Sequence, residues 1–383
     1  MKETIFTLVA LLSACAGIAQ KTKKKATVNY DIPLTNEKWQ IPEGKAEFLQ
    51  RNGHTVIQLK EGNQGAVYLK DITFSSGTIE FEFEPSAPMS LNSAPTVYFR
   101  SQPDRRNTEI FYLRARPNRT TANDAVQYAP VIDGVNLWDL YPEYQAPAYF
   151  ETGKTNHLKM IISGEQLRVY VNDLTAPALE VLKLEGKFKD GGIGLDGGVT
   201  ISNFKLKPGV IEDLPANAAP DLTRHDANYL RTWHVTLPTD LPVGHDVIIG
   251  NLPKADSFRA TITAERKGLV NLTREFGGNA SRKVIWLKTK IRSTEAQRNV
   301  LQLGFSDEVW VYLNGQLAFL DKNYYLQPLM RKYPEGRISI QNARFPLPLK
   351  QGDNELVIAV ANDFYGWGII ARLENMEGVG IEK

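Results

Sequence analysis

Apolar and polar residues alternate with a period of two along most of the chain. Between residues 26 and 207 the stretches HTVIQL, GAVYLK, GTIEFEFE, PTVYFRS, TEIFYLRAR, HLKMIIS, QLRVYVN, GGIGLD and VTISNFKL follow one another, separated by turn residues. Successive side chains of a strand point to opposite faces, so each stretch predicts a strand with one buried face. No segment sustains the spacing of an amphipathic helix. Short strands at this spacing predict a β-sandwich over 26–207. A second series fills 228–383 and predicts a second all-β domain: SFRATITAE, GLVNLTR, KVIWLKTKIRS, NVLQLGF, EVWVYLNGQLAFL, NELVIAVAN and GIIARLEN. Between the two, PGVIEDLPANAAPDLTRHDA at 208–227 carries three prolines and no periodicity, and reads as an interdomain linker.

The first residues change the picture by adding a compartment. Lys2, an apolar run from Ile5 to Leu12 and small residues after it have the order of a secretory signal, and the run is too short to span a bilayer. Two processing sites compete. Gly17-Ile18-Ala19 would end a signal peptide of residues 1–19, whereas Leu12-Ser13-Ala14-Cys15 has the form of a bacterial lipobox with Cys15 as the lipidated residue. Either predicts export, to the periplasm, the outer membrane or the medium, with a lipid on Cys15 as the one expected membrane contact. Cys15 is the only cysteine, so an internal disulfide and a thiolate metal site are excluded. The 45 Lys and Arg nearly balance the 43 Asp and Glu, which leaves no electrostatic footprint for nucleic acid. The five histidines, His54, His157, His225, His234 and His245, show no metal-ligand spacing. Neither a Gly-x-Ser-x-Gly elbow nor a phosphate loop is present.

Residues 28–207 resemble the concanavalin A-like lectin and glucanase superfamily in its broad, laminin-G-like sense. The resemblance is carried by GTIEFEFEPS at 77–86, the pair VYFR and IFYLRARP, the hairpin NHLKMIISGEQLRVYVND at 156–173 and the closing GGIGLDGGVTISNFKL at 191–206. Residues 230–380 resemble galactose-binding-domain-like jelly rolls, through LGFSDEVWVYLNGQLAF at 303–319, LPLKQGDNELVIAVAN at 347–362 and GWGIIARLEN at 366–375. Asn314-Gly315 in the first of these is a tight hairpin turn. Both resemblances imply folds used in extracellular carbohydrate biology as catalytic or as binding modules, and fold does not decide between the two.

The clearest candidate surface lies on the strand TEIFYLRAR, where Phe111 and Leu113 face one way and Tyr112, Arg114 and Arg116 the other. The preceding strand adds Thr96, Tyr98 and Arg100 by the same alternation, and Asp124, Gln127 and Tyr128 follow. Rings can stack on the C–H faces of sugars, while Arg, Asp and Gln bond hydroxyls or acids. The superfamily resemblance implies a saccharide groove on the concave sheet, and the arginines suggest polar or anionic sugars. The plain alternative is an exposed face whose arginines pair with acids. The loop VIDGVNLWDLYPEYQAP at 131–147, with Trp138, either walls such a site or packs on the sandwich rim. Tyr365 and Trp367 are second-domain candidates for a saccharide contact, or else cap that domain's core.

Glu80, Glu82 and Glu84 form an E-x-E-x-E strand. Glycosidases need paired carboxylates, about 5–5.5 Å apart for retention, and the laminarinase-type members of the superfamily carry E-x-D-x-x-E or E-x-D-x-E. The central Asp is missing here, and glutamates opposite Ile79, Phe81 and Phe83 also describe a solvent-facing strand. Gly191-Gly192 and Gly197-Gly198 flank Asp196, where the laminin-G-like resemblance implies a structural calcium and tight turns explain the glycines equally. Two functional readings result. One is a non-catalytic, exported bacterial protein that binds a polysaccharide or other glycan. The other is a glycoside hydrolase, or a polysaccharide lyase using Tyr112 as base with Arg114 and Arg116 neutralising a uronate.

Overall fold

The computed structural model describes residues 30–62, 65–86, 93–114, 123–278 and 281–382, and in it the two strand series fold into two pairs of antiparallel sheets. In the first sandwich, one sheet runs in spatial order Leu179–Val181, Gln166–Val171, Asn156–Ser163, Gly77–Pro85, Val199–Pro208, His54–Leu59, Ala46–Arg51. Its partner runs Trp39–Gln40, Val67–Leu69, Gly192–Asp196, Thr96–Ser101, Thr108–Leu113, Val126–Ile132, Gln145–Ala146. Alternation decides what packs between them. Ile79, Phe81 and Phe83 from one sheet meet Val97, Phe99, Phe111 and Leu113 from the other in a single buried cluster. Each such side chain contributes about 1.5–3 kcal/mol by leaving water. The intervening residues are thereby turned outward: Glu80, Glu82 and Glu84 on one outer face, Thr96, Tyr98 and Tyr112 on the other.

The second sandwich pairs an eight-stranded sheet, centred on Lys283–Ser293, Gly352–Ala361 and Glu308–Leu313, with four strands, Leu269–Asn271, Gly368–Leu373, Gln297–Ser306 and Ala343–Leu349. Ile285, Leu287, Leu303, Phe305, Val309 and Val311 fill the space between them. The larger sheet is covered on its other face too, where Trp286, Trp310 and Tyr312 pack with Leu241 and Val247. That double burial explains why EVWVYL is buried at every position instead of alternating.

Residues 31–383 hold both sandwiches in one compact unit. Leu269 and Ile338, from the second strand series, sit in the first sandwich's core cluster. The segment 208–227 is packed rather than bare: Leu214 is buried with Ile161 and Tyr170, Ala216 accepts from the Glu165 amide, and Arg231 and Arg266 donate to the carbonyls of Thr223 and Ala219. A segment without apolar periodicity still carries a backbone polar group at every residue, and here those groups are used to tie the two sandwiches together.

Candidate functional site

Across the sheet, Tyr112 pairs with Thr96 on one side and Gln127 on the other, and Tyr98 pairs with Gly194. These positions share the outward face. Gly194 leaves that face open beside Tyr98, and the ring of Tyr68 lies over it; a Cβ there would stand 2.6 Å from that ring. The Tyr68 and Tyr98 rings meet at 6.1 Å.

Over this face runs a groove of about 340 Å³. Thr96, Tyr98, Ile110, Tyr112 and Arg114 form its floor, and Asn136 and Trp138 rise from the loop that follows. Tyr325, Phe364 and Tyr365 of the second sandwich close its side. The walls are braced by ring contacts: Trp138 stands edge-on to Tyr325 at 4.7 Å and to Tyr365 at 5.7 Å, and Tyr325 stacks on Phe364 at 5.9 Å. Beyond Tyr98 and Tyr112 a second, polar recess of about 400 Å³ adds Glu61, Asp196 and Gly197.

A buried acid pair holds the second sandwich's part of the wall from behind. Asp307 accepts the amides of Asp363 at 2.6 Å and Phe364 at 2.8 Å. Asp139, from the Trp138 loop, accepts the amide of Gly366 at 3.2 Å, and Ser306 Oγ lies between the two carboxyls. Burial pushes both carboxyls up, Asp307 to about 7, and the neighbouring Asp307 raises Asp139 further. Gly366 is required by this contact, since a Cβ would sit 2.8 Å from Leu140 and 3.0 Å from Asp139. Tyr365, at φ +61°, takes a left-handed backbone that costs of order 1–3 kcal/mol and stays 44% exposed in the groove wall.

Arg114 works inside this framework. Its Nη1 donates to the Asp124 carbonyl at 2.8 Å, and its Nη2 to Tyr112 Oη at 3.1 Å and Gln127 Oε1 at 2.5 Å. Gln127, fully buried, passes the connection on by donating to the Trp138 carbonyl at 2.8 Å. Asp124 lies between Arg114 and Arg337, 4.0 and 3.7 Å away, and the Arg337 guanidinium sits 5.0 Å from the Trp138 ring centre. Arg114, Gln127 and Asp124 therefore support the rings of the groove.

Several sequence candidates fall elsewhere. Arg100 is corrected outright. The strand bulges at its end, Arg100 takes φ +52°, and its buried guanidinium donates to the carbonyls of Ser75 and Gly164 instead of facing the groove. Tyr128 follows the outward Gln127 and so points inward, where its hydroxyl donates to Glu109 at 2.6 Å. Burial raises that Glu109 carboxyl to about 7. Trp367 is wholly buried in the second core and donates to the Gly277 carbonyl. Arg116 and Cys15 lie outside the described residues.

Glu80, Glu82 and Glu84 occupy the outer face of the opposite sheet, and each has a partner. Glu80 meets Lys207 and, at 3.0 Å, His157; Glu82 accepts from Asn203 at 2.7 Å; Glu84 pairs with Arg51 at 3.3 Å. Although burial works the other way, Lys207 and His157 hold the Glu80 carboxyl below its usual range, opposite to what a proton donor needs. The Asp196 carboxylate is met by the fully buried ammonium of Lys45 at 2.5 Å. Among the described residues no cluster of three His, Cys, Asp or Glu is placed to hold a metal ion.

Tyr325 was not visible as a site residue in the sequence: it sits on no alternating strand that points at the groove, and the adjacent tyrosines of NYYLQP were its only signal. Asn136 lies within the loop at 131–147 but was not singled out in it.

No protein-family model matches the chain, and no curated protein matches it significantly. Among solved structures, the carbohydrate-binding module CBM66 from Bacillus subtilis is similar at 15% identity over 44% of this chain and 95% of that one, with a TM-score of 0.33. Galectin LEC-6 from Caenorhabditis elegans is similar at 15% identity over 44% of this chain and 99% of that one, with a TM-score of 0.28. Scores this low carry no argument, and the all-β assignment rests on the sheets themselves. On those grounds the chain is an all-β protein of two sandwiches, in which an aromatic groove on the first is completed by the second.

Proposed function

We propose that this chain is a non-catalytic glycan-binding protein and that the aromatic groove takes the saccharide. The observation that carries the reading is the ring set: Tyr98, Tyr112, Trp138, Tyr325, Phe364 and Tyr365 line one open groove, with Asn136 and Thr96 among them. Its volume, about 340 Å³, suits a small ligand or a short stretch of polymer. A pyranose offers apolar C–H faces to rings and hydroxyls at its edge to Asn and Thr. Rings standing edge-on to one another provide both a floor and a wall for such a body. The nearest acids behind the wall, Asp139 and Asp307, are buried and bonded to backbone amides. The signal-like residues 1–19 and Cys15 fit this reading by placing the protein outside the cytoplasm, free or lipid-anchored, where polysaccharides are met.

Native affinity electrophoresis of residues 20–383 through gels containing soluble polysaccharides tests it. Retardation by at least one polymer, relieved by Trp138→Ala and by Tyr365→Ala, is expected. Free migration in every gel, or retardation that neither substitution alters, sinks the proposal. The same incubations are assayed for new reducing ends and for the ultraviolet absorbance of unsaturated uronates, and release of either would replace binding with catalysis.

A further inference from the structure

A cavity of about 290 Å³ lies at the seam between the sandwiches and shares no lining residue with the aromatic groove. Leu140 of the first sandwich and Tyr229, Leu269, Ile338, Ile340 and Ile370 of the second strand series form its apolar walls. These walls are fixed from behind. The Tyr229 ring packs on Gly268, where a Cβ would stand 2.4 Å from it, and the guanidiniums of Arg231 and Arg372 sit 5.1 and 5.7 Å from its centre. Leu269 and Ile338 belong to the first sandwich's core, Ile370 packs against it, and the Ile338 amide donates to the Asp139 carbonyl at 2.9 Å. A cavity with its walls already in place needs little reorganisation to take a ligand.

The polar lining is engaged with itself. Tyr141 Oη donates to Glu265 Oε2 at 3.0 Å and accepts from Asn271 at 3.0 Å, and Glu185 accepts from Tyr144 at 3.1 Å. Glu143 pairs with Lys267 at 3.0 Å, Glu265 with Arg274 at 2.5 Å and Glu185 with Lys183 at 3.0 Å. Arg266 donates to the carbonyls of Ala219 and Pro220. An ion entering here would have to break an existing pair to gain a partner, and a sugar would give up water around several hydroxyls for few new bonds. A ring with one polar group loses far less, and gains about 25 cal/mol for each Å² of apolar surface it buries.

We propose that the seam cavity is a binding site separate from the groove, for a compact uncharged molecule of one or two rings. Apolar-walled cavities at domain seams with a few polar groups are where small ligands bind, typically in about 300–1,000 Å³. This one lies at the lower edge of that range, which sets the size of the ligand. Because an occupant touches Leu140 together with Leu269, Ile340 and Ile370, it favours the joined sandwiches over the parted ones.

Ligand-observed NMR titration of residues 20–383 with indole, phenol and cyclohexanol tests it, with benzoate and benzylamine as charged counterparts. At least one neutral probe should bind saturably, about millimolar or tighter, and both charged counterparts at least about tenfold more weakly. Ile340 is half-buried in the wall. Ile340→Trp, which puts a ring into the cavity, should weaken the neutral probe about tenfold or more; Ile340→Lys reaches the same end through charge if the larger ring disturbs folding. The bound probe at saturation should raise the thermal midpoint of the unsubstituted protein by about 2–4 °C and leave that of the Ile340 variants unchanged. Trp138→Ala should leave probe affinity as it is. The proposal is overturned by no saturable binding of any neutral probe, by equal binding of charged and neutral probes, or by binding that Trp138→Ala removes and both Ile340 variants keep. Retention by polysaccharides, which the groove governs, is read separately and does not depend on these outcomes.

Discussion

The two outer faces of the first sandwich arise from the same alternation and end in opposite states. On one, Glu80, Glu82 and Glu84 stand in a row and are answered from neighbouring strands and turns by Lys207, His157, Asn203 and Arg51. On the other, Tyr98 and Tyr112 lie under Trp138 and the rings of the second sandwich. Alternation reports only that a side chain leaves the core; it does not say what meets it outside. Carboxylates find counter-charges within their own sheet and complete themselves locally. Tyrosine rings find no such partner on adjacent strands, so their surroundings must come from loops and from residues two hundred positions away.

Separating the halves should break this comparison most strongly. Fragments 26–209 and 226–383 follow the division read from the sequence, and the first keeps the acid face whole while losing three rings of the groove. Removing Leu269 and Ile338 from the first core forfeits about 1.5–3 kcal/mol each. The first fragment should therefore melt roughly 10 °C or more below the intact protein while keeping a β-rich circular dichroism spectrum. Equal midpoints would mean that the seam adds nothing to stability.

Arg100→Ala comes next. Its buried guanidinium bonds two carbonyls and offsets the buried Glu109, so the loss should be about 3–5 kcal/mol in urea unfolding. Affinity of the folded variant for any retaining polymer should be unchanged, and a selective loss of affinity would return Arg100 to the groove.

The acid pair behind the aromatic wall makes stability depend on pH. Asp307 titrates at about 7 when folded against an ordinary value of 3.8, so in that interval the folded state holds a proton that the unfolded state has released. Stability is then full below the unfolded value and falls as pH rises towards 7, by up to about 1.4 kcal/mol per pH unit. Glu109, also at about 7, acts in the same direction. Thermal midpoints should drop between pH 5 and 8, and Asp307→Asn should flatten part of that drop. A slope that the substitution leaves unchanged would refute the assignment.

Trp138→Ala should reduce polymer affinity about tenfold, the scale of a lost ring contact together with its burial. The smallest effect belongs to the acid face. Replacing Glu80, Glu82 and Glu84 together by Gln should leave affinity unchanged and cost about 0–1 kcal/mol per pair. A loss of activity or binding from that triple variant would move the functional face to the other sheet.

What the sequence determined by itself is set by near-neighbour geometry. The two-residue period placed Phe81 and Phe111 inward and Glu82 and Tyr112 outward, and it marked both strand series, because a strand's side-chain directions depend only on its own backbone. The same rule misled where the backbone departs from it. Arg100 lies at a bulge, and Tyr128 is one residue out of phase with Gln127 on the same strand. Only the tertiary structure could show that Arg114 is braced by Tyr112, Gln127 and the Asp124 backbone, or that Tyr325, Phe364 and Tyr365 close the groove. Those facts depend on contacts between residues far apart in the chain, fixed by how two sheets pack and by a buried carboxyl pair joining Asp139 to Ser306 and Asp307. No local pattern encodes such contacts, since each side chain involved would fit a core, a rim or a solvent face equally well until its partners arrive.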